Sequence, residues 1–138
     1  MSNGSRLEQL KAAYAEWDRS KGGNQEQWLE LLGENMCISS VGGENAGLEF
    51  AAPCSSKEDA LRYFTGLLGA WDMIHWTPEV FVDGGQQIAM FGKCAWRNKA
   101  TGKDVEIAIS HLWTFEDGGA VALVEVFDTA RAVAATQS

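Results

Sequence analysis

Apolar residues in the first half of the chain recur at helical spacing, and those in the second half alternate. Leu7, Leu10, Tyr14 and Trp17 fall on one face of a helix predicted over about residues 5–20, which Gly22 and Gly23 end. Asn24 can cap a short second helix that buries Trp28, Leu31 and Leu32. A short strand is expected over 36–41, and 42–54, with its glycines and Pro53, reads as loop. Ser55-Ser56-Lys57-Glu58 has the form of a capping box opening a third helix, whose apolar stripe is Leu61, Phe64, Leu67, Leu68 and Trp71. Four strands follow, over 74–82, 87–97, 104–115 and 120–127, and Asp128-Thr129 precedes a short terminal helix. Helices first and hairpin-linked strands later make an α+β pattern with an antiparallel meander. A strongly curved antiparallel sheet with the helices laid in its concavity would close on a pocket.

A polar residue interrupts the apolar face of each of the last two strands. Ile107, Ile109, Trp113 and Phe115 flank His111; Val121, Leu123 and Phe127 flank Glu125. Side chains two apart on a strand share a face, so each polar group lies on an apolar face. They meet only in one register. A two-residue loop at Asp117-Gly118 would pair His111 with Val124, whereas a three-residue loop, Asp117 to Gly119, pairs it with Glu125. The second is expected, because it needs a positive φ that either glycine supplies and because it turns both apolar faces to one side. A histidine and a carboxylate facing each other in an apolar cavity make an acid/base site, with desolvation raising the carboxyl pKa, a protonated histidine pulling it down, and the two groups titrating as a pair. The alternative is a buried pair that only fixes strand register.

Length and charge narrow the rest. One domain over 1–138, ordered from about 5 to 133, is expected of 138 residues, and 46% aliphatic and aromatic residues support a real core. A formal charge of −8 argues against nucleic acid or an anionic membrane surface as partner. No apolar run spans a bilayer and the N-terminus lacks a signal-peptide core, so cytoplasmic residence is expected. Cys37, Cys54 and Cys94 have no metal-site spacing and read as reduced thiols, at least two of them buried. No metal and no cofactor are expected. Ala122, Val124 and Val126 leave the outer sheet face apolar, which points to a homodimer through the sheets.

The order of elements, the segment 78–84 (Pro-Glu-Val-Phe-Val-Asp-Gly), the segment 111–118 (His-Leu-Trp-Thr-Phe-Glu-Asp-Gly) and the segment 125–130 (Glu-Val-Phe-Asp-Thr-Ala) resemble the nuclear transport factor 2-like superfamily. Within it the chain is similar to the SnoaL-like polyketide cyclase and ketosteroid isomerase-related group. The resemblance implies a cone-shaped α+β domain and a cofactor-independent acid/base lyase or isomerase, of the cyclase or dehydratase type, on a cyclic or aromatic carbonyl compound. His111 matches a histidine implicated in such cyclases, and Glu125 stands where they have an aspartate. Tyr14 would bind an oxyanion, and Tyr14, Trp17, Trp113 and Phe127 would line a pocket for a small apolar or aromatic ligand. The competing expectation is a non-catalytic ligand-binding or dimerisation domain of the same fold. Asp128 reads better as a helix N-cap than as a site residue.

Overall fold

The computed structural model describes residues 5–41, 48 and 55–137. Two helices, α1 (Arg6–Arg19) and α2 (Gln25–Leu31), lead into strand β1 (Leu32–Ser40). Helix α3 (Lys57–Ala70) precedes the run β2 (Trp71–Asp83), β3 (Gln87–Asn98), β4 (Asp104–Glu116) and β5 (Gly119–Phe127), and α4 (Thr129–Thr136) closes the chain. The five strands form one curved, unclosed sheet in the order β1-β5-β4-β3-β2. The meander β2 to β5 is antiparallel, as expected. The edge strand β1 departs from that expectation: it runs parallel to β5, because the chain crosses the whole sheet between them.

Local chemistry explains the ends of the helices. The Ser5 hydroxyl accepts the Glu8 N–H and caps α1, whose buried face is Leu10, Ala13, Tyr14 and Trp17. Asn24 holds the N-cap position of α2 without a side-chain capping bond; its amide donates to the Ala13 carbonyl and to Gln27 instead. The cap of α3 lies one residue later than the sequence suggested: Ser56 accepts the Asp59 N–H, and Asp59 accepts from the Ser55 N–H. The buried face of α3 is Ala60, Phe64 and Leu67, and Leu61 is exposed, against its expected place in the stripe. Asp128 caps α4 through the Arg131 N–H, which settles it as an N-cap.

The curvature comes largely from irregular pairing. Ile74 and Glu79 are extra residues in β2, between the pairs Met73/Trp96 and His75/Ala95 and between Pro78/Gly92 and Val80/Phe91. Bulges of this kind bend a strand and increase its twist. Gly92 lies opposite the second, where an added Cβ would come within 2.4 Å of the Thr77 carbonyl oxygen. Helix α1 packs against β2 and α3 against β1 and β2, so the core lies between these helices and the concave face. The loop expectation over 42–54, with Cys54, lies outside the described residues apart from the buried Leu48. Of the other two cysteines, Cys94 is buried and Cys37 is exposed, because Cys37 alternates with Met36 and Ile38 onto the outer face.

Candidate functional site

His111 and Glu125 are direct partners across β4 and β5, as expected, but the turn that sets their register differs. Glu116 pairs with Gly119, so the loop has only two residues, Asp117 and Gly118. Left alone, that loop would have turned Glu125 outward. Instead Phe115 pairs with Ala120 and Thr114 with Ala122, so Val121 is an extra residue that moves the later register by one. Gly119, at φ 127°, permits the close turn; a side chain there would meet the Leu31 carbonyl oxygen at 2.8 Å. The bulge is thus what places the carboxylate inside.

One row of inward side chains crosses four strands: Met90 on β3, His111 on β4, Glu125 on β5 and Ser40 on β1. His111 and Glu125 are 7% and 3% exposed, so neither is solvated. His111 Nε2 lies 3.0 Å from Glu125 Oε2 and His111 Nδ1 lies 2.5 Å from the Tyr14 hydroxyl. Trp113 Nε1 donates to that same hydroxyl over 2.8 Å. An indole N–H can only donate, so the Tyr14 oxygen accepts it, and in the neutral imidazole that leaves Nδ1 unprotonated the Tyr14 proton goes to His111 Nδ1. His111 then carries its proton on Nε2 and donates it to the carboxylate. The Ser40 hydroxyl donates to Glu125 Oε1 over 2.8 Å, and the Tyr63 hydroxyl reaches both carboxylate oxygens at 3.0 Å.

This chain of donors corrects the expected charge state. Burial pushes the Glu125 carboxyl upward, but the hydrogen bonds from His111, Ser40 and Tyr63 outweigh it and hold the group below the ordinary glutamate range. Glu125 is therefore an ionised, hydrogen-bonded carboxylate rather than a stored acid. Burial holds the Tyr14 and Tyr63 hydroxyls well above the usual phenol range, so both remain donors. Cys94, at the same cavity, has its thiol pushed up to about 12 and offers no thiolate nucleophile.

A carboxyl group whose pKa is lowered on folding stabilises the fold above its unfolded-state pKa and loses that contribution as pH falls through the folded one. The stability advantage of the parent over Glu125→Gln should therefore shrink on acidification below the ordinary glutamate range. Urea unfolding of both proteins across that interval checks it; an advantage that grows as pH falls would refute the ionised state.

The network opens on a cavity of about 70 Å³. Tyr14, Trp17, Trp113 and Phe127, the expected lining residues, all line it, and so do Trp28, Trp71, Trp76 and Trp96. All six tryptophans of the chain thus wall one space. Among the described residues no lysine or arginine reaches it, and no group of His, Cys, Asp and Glu side chains could hold a metal ion. A water occupies roughly 10–15 Å³ on this measure, so the free space suits one small molecule rather than a polycyclic one.

Tyr63 and Ser40 were missed in the sequence. Ser40 carried the same signal as His111 and Glu125, a polar residue ending an alternation of inward apolar ones, Met36 and Ile38. Tyr63 had none, because its role depends on how α3 lies over the sheet.

A family model described as SnoaL-like domain matches residues 10–123. An NTF2-like protein of unknown function from Burkholderia pseudomallei superposes with a TM-score of 0.83 at 20% identity, over 100% of both chains. A protein from Rhodopseudomonas palustris provisionally named an isomerase superposes at 0.79 with 14% identity, over 98% of each chain. TerC, co-crystallised with polyporic acid, superposes at 0.76 with 19% identity, over 96% of this chain and 98% of its own. Among curated proteins none matches the sequence.

Proposed function

The chain belongs to the SnoaL-like domain family of the NTF2-like superfamily, and on that footing we propose that it is a cofactor-independent acid/base lyase or isomerase acting on a small cyclic or aromatic carbonyl compound. The observation that carries this reading is the Glu125–His111 pair at 3.0 Å on the wall of an aromatic cavity. A buried carboxylate has little water to compete for it and can take a proton from the carbon beside a ligand carbonyl. The C–H electron pair then forms a C=C bond to the carbonyl carbon, the C=O π pair moves onto oxygen, and the carbonyl becomes an enolate. Returning the proton to another carbon gives an isomerase; loss of a leaving group from the enolate gives a lyase. His111 is the positioning residue. Its Nε2 proton orients the carboxylate, and Tyr14 fixes the tautomer that makes this possible.

Protein donors reach both carboxylate oxygens: Oε1 accepts from Ser40 and Tyr63, and Oε2 from His111 and Tyr63. A substrate proton must displace one donor. Tyr63 is the one to move, since its single proton is shared between two oxygens and its side chain is only partly buried. Displacing it removes one of the groups that lower the Glu125 pKa and makes the carboxylate a stronger base as substrate arrives. Deuterium exchange at the α-carbon of cyclohexanone in D₂O, followed by NMR, tests the reading. Exchange above the buffer rate supports it; exchange at the buffer rate with bound cyclohexanone leaves a ligand-binding domain without catalysis.

A second copy of the chain is the partner that the outer sheet face favours. Val80, Phe91, Ser110 and Val126 form one row across that face, and Val82, Ala89, Leu112 and Val124 the next. Phe91 is 49% exposed and Val80 51%, a contiguous apolar area uncommon on a solvated surface. Sedimentation should show a dimer at micromolar concentration that Phe91→Lys dissociates; a monomeric parent protein would end this proposal.

A further inference from the structure

The resemblance implied an oxyanion contact for Tyr14, yet with His111 neutral and accepting at Nδ1 the only Tyr14 proton is already given to it. The cavity wall holds another donor. The Trp28 indole N–H is buried and has no hydrogen-bond partner among the described residues, although Trp28 is 4% exposed and lines the cavity. Buried N–H groups are almost always paired, and an unpaired one costs about 1–3 kcal/mol. The ring has little freedom to turn away and find a partner. It stacks on Trp113 with the rings 1° from parallel and 5.6 Å apart, meets Tyr14 edge-on at 5.0 Å and meets Trp17 edge-on at 6.1 Å. Trp113 in turn donates to Tyr14, which donates to His111, so Trp28 packs against the same relay that orients Glu125.

We propose that the Trp28 indole N–H is the donor that receives the carbonyl oxygen of the ligand. The inference rests on the cavity being the ligand site proposed above, and it defines that ligand further. The molecule must bring a hydrogen-bond acceptor, a neutral carbonyl or the enolate oxygen formed from it, to the Trp28 side of the cavity. A purely hydrocarbon ligand would leave the donor unpaired. An acceptor placed there pairs a buried donor that no described residue satisfies. When an α-proton passes to Glu125, the C–H electron pair forms the new C=C bond and the carbonyl π pair moves onto the oxygen held by this N–H, where the developing negative charge is stabilised.

Cyclohexanone and methylenecyclohexane have the same shape and differ by an oxygen in place of a methylene group. Their dissociation constants and the Trp28 indole N–H resonance, assigned through its own side chain, test the proposal together. The parent protein should bind the ketone about three- to tenfold more tightly than the hydrocarbon, and only the ketone should move the Trp28 N–H signal downfield. Trp28→Phe should abolish the ketone preference. Loss of ring volume weakens both ligands, so the ratio isolates the N–H. Equal binding of the two compounds, or a ketone preference that survives Trp28→Phe, would overturn the assignment of Trp28 while leaving the ligand site intact. Failure of both compounds to bind at millimolar concentration would overturn the ligand site and this inference with it. Should Trp28→Phe not fold, an indole signal unmoved by bound cyclohexanone in the parent protein decides against the proposal.

Discussion

His111→Leu should destabilise the protein by about 3–5 kcal/mol near neutral pH, a large share of a typical folding free energy. The cost does not lie in lost packing, because leucine is close to imidazole in size. It lies in Glu125, which keeps Ser40 and Tyr63 but loses the partner that most lowers its pKa. The Tyr14 proton loses its acceptor as well. The pH dependence should then change sign. With His111 gone, burial dominates and raises the carboxyl pKa above its unfolded value, so the charged form is the destabilised one. Stability of the variant should rise on mild acidification, where Glu125 protonates, while the parent keeps the Glu125 contribution until the pH falls below the ordinary glutamate range. The double variant His111→Leu/Glu125→Leu should recover most of the loss, since no buried charge remains. Urea unfolding at neutral and mildly acidic pH measures all three proteins; a single variant that loses under 1 kcal/mol, or keeps the parent's pH trend, would show that the pair is not coupled as described.

Glu125→Gln should have the largest effect on chemistry. Glutamine keeps the shape and can still accept from His111, Ser40 or Tyr63, but it cannot take a proton. Loss of the proton acceptor should slow α-carbon exchange of cyclohexanone by about 10²–10⁴-fold, with binding largely kept. Glu125→Asp should retain more activity than the glutamine variant, because it keeps the carboxylate and only withdraws it by a methylene length. Exchange by Glu125→Gln at the parent rate would make the carboxylate structural.

Much of this arrangement was legible in the sequence, and the exceptions have identifiable physical causes. Strand alternation located His111 and Glu125 on apolar faces, and helical spacing put Tyr14 and Trp17 inside. The register was expected for the wrong local reason. A two-residue turn and a bulge at Val121 add up to the same offset as the three-residue loop inferred from Gly118 and Gly119, and alternation cannot distinguish the two. The parallel pairing of β1 is a long-range choice with no local signal. The balance that sets the Glu125 pKa was only half visible: its apolar neighbours Leu123 and Phe127 and its partner His111 could be read from the strands, while two of its three donors, Ser40 and Tyr63, come from elements distant in sequence.

The pH profile of exchange tests most directly that the Glu125 carboxylate is the base. Its pKa lies below the ordinary glutamate range, so the rate constant for cyclohexanone exchange should be flat through neutrality, fall only in acid, and depend on Glu125 throughout. A rate that instead climbs through the neutral range and survives Glu125→Gln would place the base elsewhere and contradict the account.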